Sequence, residues 1–377
     1  MALAFATTAL ALPCATAQPQ NRGNAGPDAI VNNWLRTQDP DKDGRISRDE
    51  AKGLMKRFFQ RNDIDKDGFL GRDELQALAQ RLGRNRGNRT AANSAPRQEL
   101  AMSTEALLKR ASDDLIIEPD IAYRSGGSKA WRLDLVRPKT TANSPRPGIV
   151  FVHGGGWRSG DKRRGIFLDG AIDYARKGYV CITVNYRLTG EAPFPACIED
   201  VKCAVRWFRA HAGKYNLDPN RIGGYGNSAG AHLVSILGLV KADAGLEGDG
   251  PYQDQSSLLQ AVCASATPTD FSLLTRRREG DSRFENDNYK NVDLGRLCSP
   301  VHHVRKGAPP FLLIHGTADR TVDVRHSDTF VAALKKAGAD DVTYIRIDGA
   351  GHGVFGQHPK RTGPAMEAFF ERTLGGK

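Results

Sequence analysis

At 377 residues and 40% apolar content the chain exceeds one average domain and can bury a sizeable core, so one large domain with a small appendage is expected. The formal net charge of +11 is spread along the chain without a nucleic-acid-binding motif. This argues against nucleic acid and for a solvated basic surface, with an anionic polysaccharide left open as a partner. Six cysteines are too few for a disulfide scaffold.

In chain order, MALAFATTALALPCATAQ is a short apolar run ending in Ala15-Thr16-Ala17, the small-x-small pattern of a signal-peptidase site. Residues 1–17 are read as a signal peptide, and the mature protein is expected to be exported, periplasmic or extracellular. No Lys or Arg precedes Arg22, so the start is either atypical or truncated. Leu12-Pro13 is a poor approach to a lipidated Cys14. Neither this run nor any later one has the uninterrupted apolar length of a membrane span. Export would leave Cys181, Cys197, Cys203, Cys263 and Cys298, an odd number with at least one free thiol in a monomer. Cys181 and Cys263 sit in apolar runs and read as buried thiols.

Residues 28–82 contain DPDKDGRISRDE (39–50) and DIDKDGFLGRDE (63–74), each matching a twelve-residue EF-hand loop. Side-chain oxygens fall at positions 1, 3, 5 and 12: Asp39, Asp41, Asp43 and Glu50, then Asp63, Asp65, Asp67 and Glu74. Gly44 and Gly68 make the sharp turn, and Ile46 and Leu70 are the apolar residues that pair neighbouring loops. Arg45 and Phe69 would ligate through their carbonyls, and Ser47 directly or through water. A solvated acidic turn would not repeat this register twice, so calcium is the expected cofactor of this module. One helix from Ala51 to Arg61 is expected to serve both loops. Residues 83–100 are polar, rich in Arg, Asn and Gly, and read as a flexible linker.

From 112 to 377 short β-branched runs alternate with amphipathic stretches, the pattern of a mainly parallel sheet flanked by helices. IAYRSGGSKAWRLDLVRP reads as an antiparallel hairpin turned at Ser125-Gly126-Gly127. Strands are predicted at 148–153, 179–186, 221–226, 259–264, 310–316 and 342–347. Helices are predicted at Asp169 to Lys177, Ile198 to His211, Ala229 to Val240, Ser327 to Ala337 and Pro364 to Leu374.

Four motifs sit at the carboxyl ends of these strands. His153-Gly154-Gly155-Gly156-Trp157 follows the first, where backbone N–H groups of Gly155 and Gly156, with that of Ala229, can form an oxyanion hole. A plain glycine turn would explain neither the flanking His and Trp nor the preceding strand. Gly226-Asn227-Ser228-Ala229-Gly230 falls between a strand and a helix, the context of a nucleophile elbow. Asp319 in HGTADRTV follows PFLLIHG, with Asp323 as its close competitor. His352 in GAGHG follows VTYIRI. His302, His303 and His326 lack such a placement and are expected at the surface. The order Ser228, Asp319, His352 is that of the α/β-hydrolase fold, and the three are expected to form its catalytic triad.

The stretch from about Ile116 to Leu374 resembles bacterial esterases and lipases of the hormone-sensitive-lipase-like and feruloyl/acetyl-esterase groups. The matching pieces are HGGGWRSGDK, VNYRL, FPACIEDVKCAVRWFRAHA, GNSAGAHL, PTDF, SPVHHV, PFLLIHGTADRTV and GAGHG. Asn227, where relatives often carry Asp or Gly, and the run CASATPTDF depart from the pattern. The resemblance implies Ser228 as nucleophile, Asp319 and His352 as its partners, and Gly155, Gly156 and Ala229 as the oxyanion hole. It also implies short acyl esters, or acetyl and feruloyl groups on polysaccharides, as substrates, and the module 28–82 looks like the compact EF-hands of exported bacterial enzymes. The expected reaction is carboxylic ester hydrolysis through an acyl-enzyme, for which the triad needs no metal. A serine peptidase of the same fold would usually carry a propeller or an amine-binding acidic pair, and the sequence has no propeller repeats. A calcium-dependent binding protein would be expected to lack a triad residue. The polar segment Thr275 to Leu297 is expected to loop over the edge of the active site.

Overall fold

A computed structural model of the chain describes residues 27–52, 55, 59–79, 102–110, 113–274 and 282–375. The predicted signal peptide 1–17 and linker 83–100 lie outside the described residues. The chain divides into two units, Met1–Arg97 and Gln98–Lys377.

The larger unit is organised by eight strands: β1 (Leu115–Ala122), β2 (Arg132–Pro138), β3 (Arg146–Val152), β4 (Val180–Val184), β5 (Leu217–Asn227), β6 (Ala261–Ser265), β7 (Phe311–Gly316) and β8 (Val342–Ile347). They form one sheet in the order β8-β7-β6-β5-β3-β4-β2-β1. The β1–β2 and β2–β4 pairs are antiparallel and the other pairs parallel. The central strands read as unbroken apolar runs because both faces are covered. From β3, Val150 and Val152 point into one core with Ile198, Val201, Leu233, Val234, Phe330 and Leu334. Ile149 and Phe151 point into the other, with Phe167, Leu168, Met366 and Phe370.

Helices α2 (Ala196–Ala210), α3 (Ala229–Leu239) and α4 (Arg325–Lys336) therefore cover one face, and α1 (Ile166–Arg176) and α5 (Pro359–Leu374) the other. This is the α/β-hydrolase architecture. Several boundaries differ from expectation: α1 starts at Ile166 rather than Asp169, β5 at Leu217 rather than 221, and two further cases have a visible cause. Helix α5 starts at Pro359, which takes the first-turn position, and Pro364 lies inside the helix. The unit also begins before residue 112, because Leu107 on the helical turn Thr104–Leu108 is buried in the second core.

The smaller unit places Ile46 opposite Leu70 and Ser47 opposite Phe69 in a two-residue antiparallel pairing. Ile46 and Leu70 are fully buried with Val31, Leu75 and Ala79. Of the helix expected over Ala51 to Arg61, residues 53–54 and 56–58 lie outside the described residues. Residues 51 and 52 are not helical, and Phe59–Asn62 is.

Candidate active site

Ser228 stands between the last residue of β5 and the first of α3, with φ 56° and ψ −122°. An L-residue enters this backbone region only at a cost that the surroundings must offset. The Ser228 N–H donates to the Ser265 carbonyl at 2.9 Å, and the Asn227 amide donates to the same oxygen at 3.3 Å. Asn227 thus braces the turn from β6. The two motif glycines are required by close approach: a Cβ on Gly226 would lie 2.3 Å from Gly230 backbone atoms, and one on Gly230 would lie 2.0 Å from the Val152 carbonyl oxygen. Any larger residue would push α3 off the sheet and move the serine.

The loops after β7 and β8 lie side by side because Gly316 and Ile347 are register partners at the ends of these parallel strands. They bring Asp319 and His352 to the serine. His352 Nε2 is 2.9 Å from Ser228 Oγ, and His352 Nδ1 is 2.7 Å from Asp319 Oδ2. The carboxylate fixes the ring proton on Nδ1 and leaves the Nε2 lone pair for the hydroxyl proton. Asp319 Oδ1 accepts from the N–H groups of Thr321 (2.8 Å) and Val322 (3.0 Å). Burial alone would push the Asp319 carboxyl up. Hydrogen bonds from His315 and His352, then from Val322 and Thr321, outweigh it and hold the carboxyl well below the ordinary carboxylate range. The competitor Asp323 is exposed and bonded to Arg325, both its backbone N–H (2.9 Å) and its guanidinium (3.1 Å).

The loop from His153 to Trp157 is anchored from below and from the side. The His153 ring is buried, stacks on Tyr186 with centroids 4.4 Å apart, and receives the Tyr186 hydroxyl on its carbonyl at 2.9 Å. Gly155 and Gly156 both have positive φ. Among the described residues neither of their N–H groups has a protein acceptor. Ala229, at the first position of α3, has an N–H with no partner inside its helix. Trp157 Nε1 donates to His232 Nδ1 at 3.2 Å, and His232 Nε2 donates to the Cys298 carbonyl at 2.7 Å. His232 lies one turn beyond Ser228, so this chain ties the glycine loop to the helix of the elbow.

Around Trp157 stand Phe194, Phe271 and, stacked on Phe194 at 5.0 Å, Phe284. Phe284 belongs to the polar segment after β6, of which residues 275–281 lie outside the described residues. A cavity of about 680 Å³ opens beside Phe284, lined also by Asn286, Asp287, Tyr289 and Lys290. It holds none of the predicted triad residues.

Not every matching motif residue belongs to this site. Lys162, at the end of HGGGWRSGDK, and the following Arg163 pair with Asp120 and Asp134 at 2.6 to 2.9 Å and knit the bulge of β1 to β2. Arg187 pairs with fully buried Asp200 at 2.8 Å, and Asp200 also accepts from the Trp131 indole at 2.9 Å. Cys181, Cys197, Cys203, Cys263 and Cys298 are all buried free thiols. His302 is exposed and His303 half-buried, but His326 is only 1% exposed. The surface reading of His326 is corrected: it faces the core from the first turn of α4, where Nδ1 accepts the Thr269 N–H at 3.2 Å. Composition around it gives no sign of this. His315 was not singled out by sequence either, although it lies in the same motif as Asp319.

In the smaller unit the carboxylates of Asp39, Asp41 and Asp43 converge within 4.8 Å, as do those of Asp63, Asp65 and Asp67. Glu50 and Glu74 fold back on the N–H groups of Ser47 (2.7 Å) and Gly71 (3.0 Å). In each trio the first aspartate, Asp39 or Asp63, has a buried Oδ1 without a hydrogen-bond partner. Three hard oxygens in each loop, one buried and unsatisfied, fit a hard divalent cation.

The sheet order, the helices on both faces and the strand-end placement of the serine, histidine and aspartate define an α/β-hydrolase. The BD-FAE family model matches residues 133–334, more than half of the chain, and the protein belongs to that family. Esterase LipC of Mycobacterium tuberculosis is 32% identical over 250 residues, covering 64% of this chain and 62% of LipC. Isoprenylcysteine alpha-carbonyl methylesterase ICME of Arabidopsis thaliana is 28% identical over 249 residues, 62% of this chain and 56% of that protein. The chain thus spans about six tenths of the length of the curated relatives it matches. Among solved structures, a truncated carbohydrate esterase from gut microbiota superposes with a TM-score of 0.62 at 27% identity, over 71% of this chain and 99% of that one. An esterase of Thermogutta terrifontis gives 0.57 at 27% identity, over 69% and 92%.

Proposed function

We propose that the protein is a serine carboxylesterase acting on short-chain or carbohydrate-linked acyl esters, with calcium bound by its smaller unit. The observation that carries the reading is the hydrogen-bonded chain from Ser228 through His352 to Asp319, at 2.9 and 2.7 Å, on a strained turn at the sheet's carboxyl edge. His352 takes the Ser228 proton as Oγ attacks the ester carbonyl. The oxyanion that forms is held by the N–H groups of Gly155, Gly156 and Ala229. His352 then protonates the departing alcohol, and a water activated by the same nitrogen releases the acid from Ser228. Asp319 stays ionised and holds the ring in its working tautomer.

The naming of relatives as esterases and of one structural neighbour as a carbohydrate esterase supports this chemistry. Calcium would be held by Asp39, Asp41, Asp43, Ser47, Glu50 and the Arg45 carbonyl, and by Asp63, Asp65, Asp67, Glu74 and the Phe69 carbonyl. It would stabilise the paired loops and take no part in acyl transfer. Export rests on residues 1–17. No nucleic-acid partner is proposed, and among the described residues no helix is long and apolar enough to cross a membrane.

The test is release of p-nitrophenol from acetate, butyrate and octanoate esters by the purified protein, beside Ser228→Ala, with calcium and with chelator. Turnover of short esters that disappears in the variant supports the reading. No turnover on any ester points instead to a peptidase or a binding protein.

A further inference from the structure

His315, the next-to-last residue of β7, has a fully buried ring that contacts the carboxylate of Asp319. Its Nε2 lies 3.0 Å from the Val322 carbonyl and 3.2 Å from Asp319 Oδ2. Both are acceptors, so the ring proton resides on Nε2 and is shared between them. Its Nδ1 lies 2.7 Å from Ser327 Oγ, which donates and locks the ring from behind. Asp319 Oδ2 thus accepts from two imidazoles, while Oδ1 takes two backbone N–H groups.

We propose that His315 is a positioning residue: held by Ser327, it fixes the Asp319 carboxylate and takes up part of the charge that would otherwise act on His352. The proposal rests on the esterase reading of the same site. The loop N–H groups pin only Oδ1. A carboxylate held at one oxygen can still tilt, and tilting carries His352 away from Ser228. The bond to Oδ2 removes that freedom. It also draws negative charge from the oxygen that faces His352 Nδ1, so the imidazolium is stabilised less than by a free carboxylate. The other titratable ring beside His315 is His326, on α4. Burial, then His315 itself, push His326 down to about 4 against the pull of Asp270 and Asp323, with Arg325 adding to the push, so it carries no charge in the working range.

The test uses the full chain as wild type, His315→Leu, His315→Gln and Ser327→Ala. Each is read by the pH profile of kcat/KM on p-nitrophenyl acetate, by Tm, and by titration of His352 in NMR spectra of ¹³Cε1-histidine-labelled protein. In His315→Leu the acid limb is expected to move up by about half a pH unit or more, and kcat to fall about tenfold with KM within about twofold. His315→Gln, whose amide N–H can reach the same oxygen, restores most of both. Ser327→Ala moves the limb in the same direction by less. An acid limb that stays in place in His315→Leu, with kcat falling only in step with Tm, reduces His315 to a packing residue and overturns the proposal. If His315→Leu does not fold, an unmoved limb in Ser327→Ala overturns it. Wild-type protein that turns over no ester brings down the esterase reading alone, because the NMR titration of His352 still reports the coupling.

Discussion

Asp319 in the larger unit and Asp39 in the smaller one are both buried aspartates in loops, the first after β7 and the second directly after the helix Pro27–Gln38, and their surroundings differ in one decisive respect. Asp319 accepts from four donors, two backbone N–H groups and two imidazoles, and needs no further ligand. Asp39 accepts the Gly44 N–H at 3.0 Å on Oδ2, while its Oδ1 is buried with no partner, beside two further carboxylates. A saturated carboxylate is a fixed charge that orients a neighbour. An unsaturated one among its own kind is a demand for a cation. The residue type is the same, and only the count of donors around it separates orientation from ligation.

The comparison breaks first at the triad. Ser228→Ala is expected to lower kcat on p-nitrophenyl butyrate by about 10⁵-fold or more, since removing a triad nucleophile leaves only binding and the oxyanion hole. Next, Asp319→Asn is expected to cost about 10⁴-fold in kcat, because an amide no longer enforces the Nδ1–H tautomer. Asp323→Asn should stay within about twofold, as among the described residues that side chain bonds only Arg325. Comparable losses in both variants would mean that Asp319 is not the partner of His352.

A third effect separates the two units by pH. Burial pushes the His153 and His232 rings down to about 4, from the ordinary value near 6.5 that the unfolded chain regains. Between those values the unfolded state binds more protons, so stability is complete above about pH 6.5 and is lost as the pH falls towards 4. The loss is on the order of 3 kcal/mol for each ring. Asp319 shifts downward too, and its contribution is lost only at lower pH still. Residues 27–79 contain no histidine. Thermal unfolding recorded from pH 7.5 to 4 should therefore show the larger unit losing Tm first, and His232→Gln should flatten that slope. Equal loss in both units would contradict the assignment.

Much of this was legible because it is periodic or local. The runs at 148–152 and 311–314 are apolar throughout and read as strands covered on both faces. The glycines around Ser228 mark a close approach that any sequence reading can recognise. What stayed hidden depends on partners distant in the chain. His326 and His315 read as ordinary polar residues until the fold buries them, one against Thr269 and the other against Asp319. Nothing local shows that Lys162, at the end of the matching piece HGGGWRSGDK, and the next residue Arg163 serve the carboxylates of Asp120 and Asp134 on β1 and β2. At the C-terminus two prolines compete for one first-turn position, and nothing local decides that Pro359 takes it. In the smaller unit the loops proposed to bind calcium are the reverse case. Their spacing alone gives the donor set, and folding adds only the buried, unpartnered oxygen.

That oxygen makes the smallest predicted effect the sharpest test of the comparison. Calcium at about 100 times its Kd should stabilise the smaller unit by about 2.7 kcal/mol, read as a rise in its own unfolding transition over that in chelator. Asp39→Asn replaces a buried, unpartnered carboxylate oxygen with a neutral amide. Without calcium this variant should be at least as stable as the wild type, because the cost of burying an uncompensated charge is relieved by about 1 kcal/mol. With calcium it should gain little. The two substitutions then cross: Asp319→Asn harms a site that is complete without a metal, whereas Asp39→Asn helps a site until the metal arrives. If Asp39→Asn destabilises the unit equally in calcium and in chelator, Asp39 is a structural acceptor like Asp319, and the distinction drawn from their donors fails.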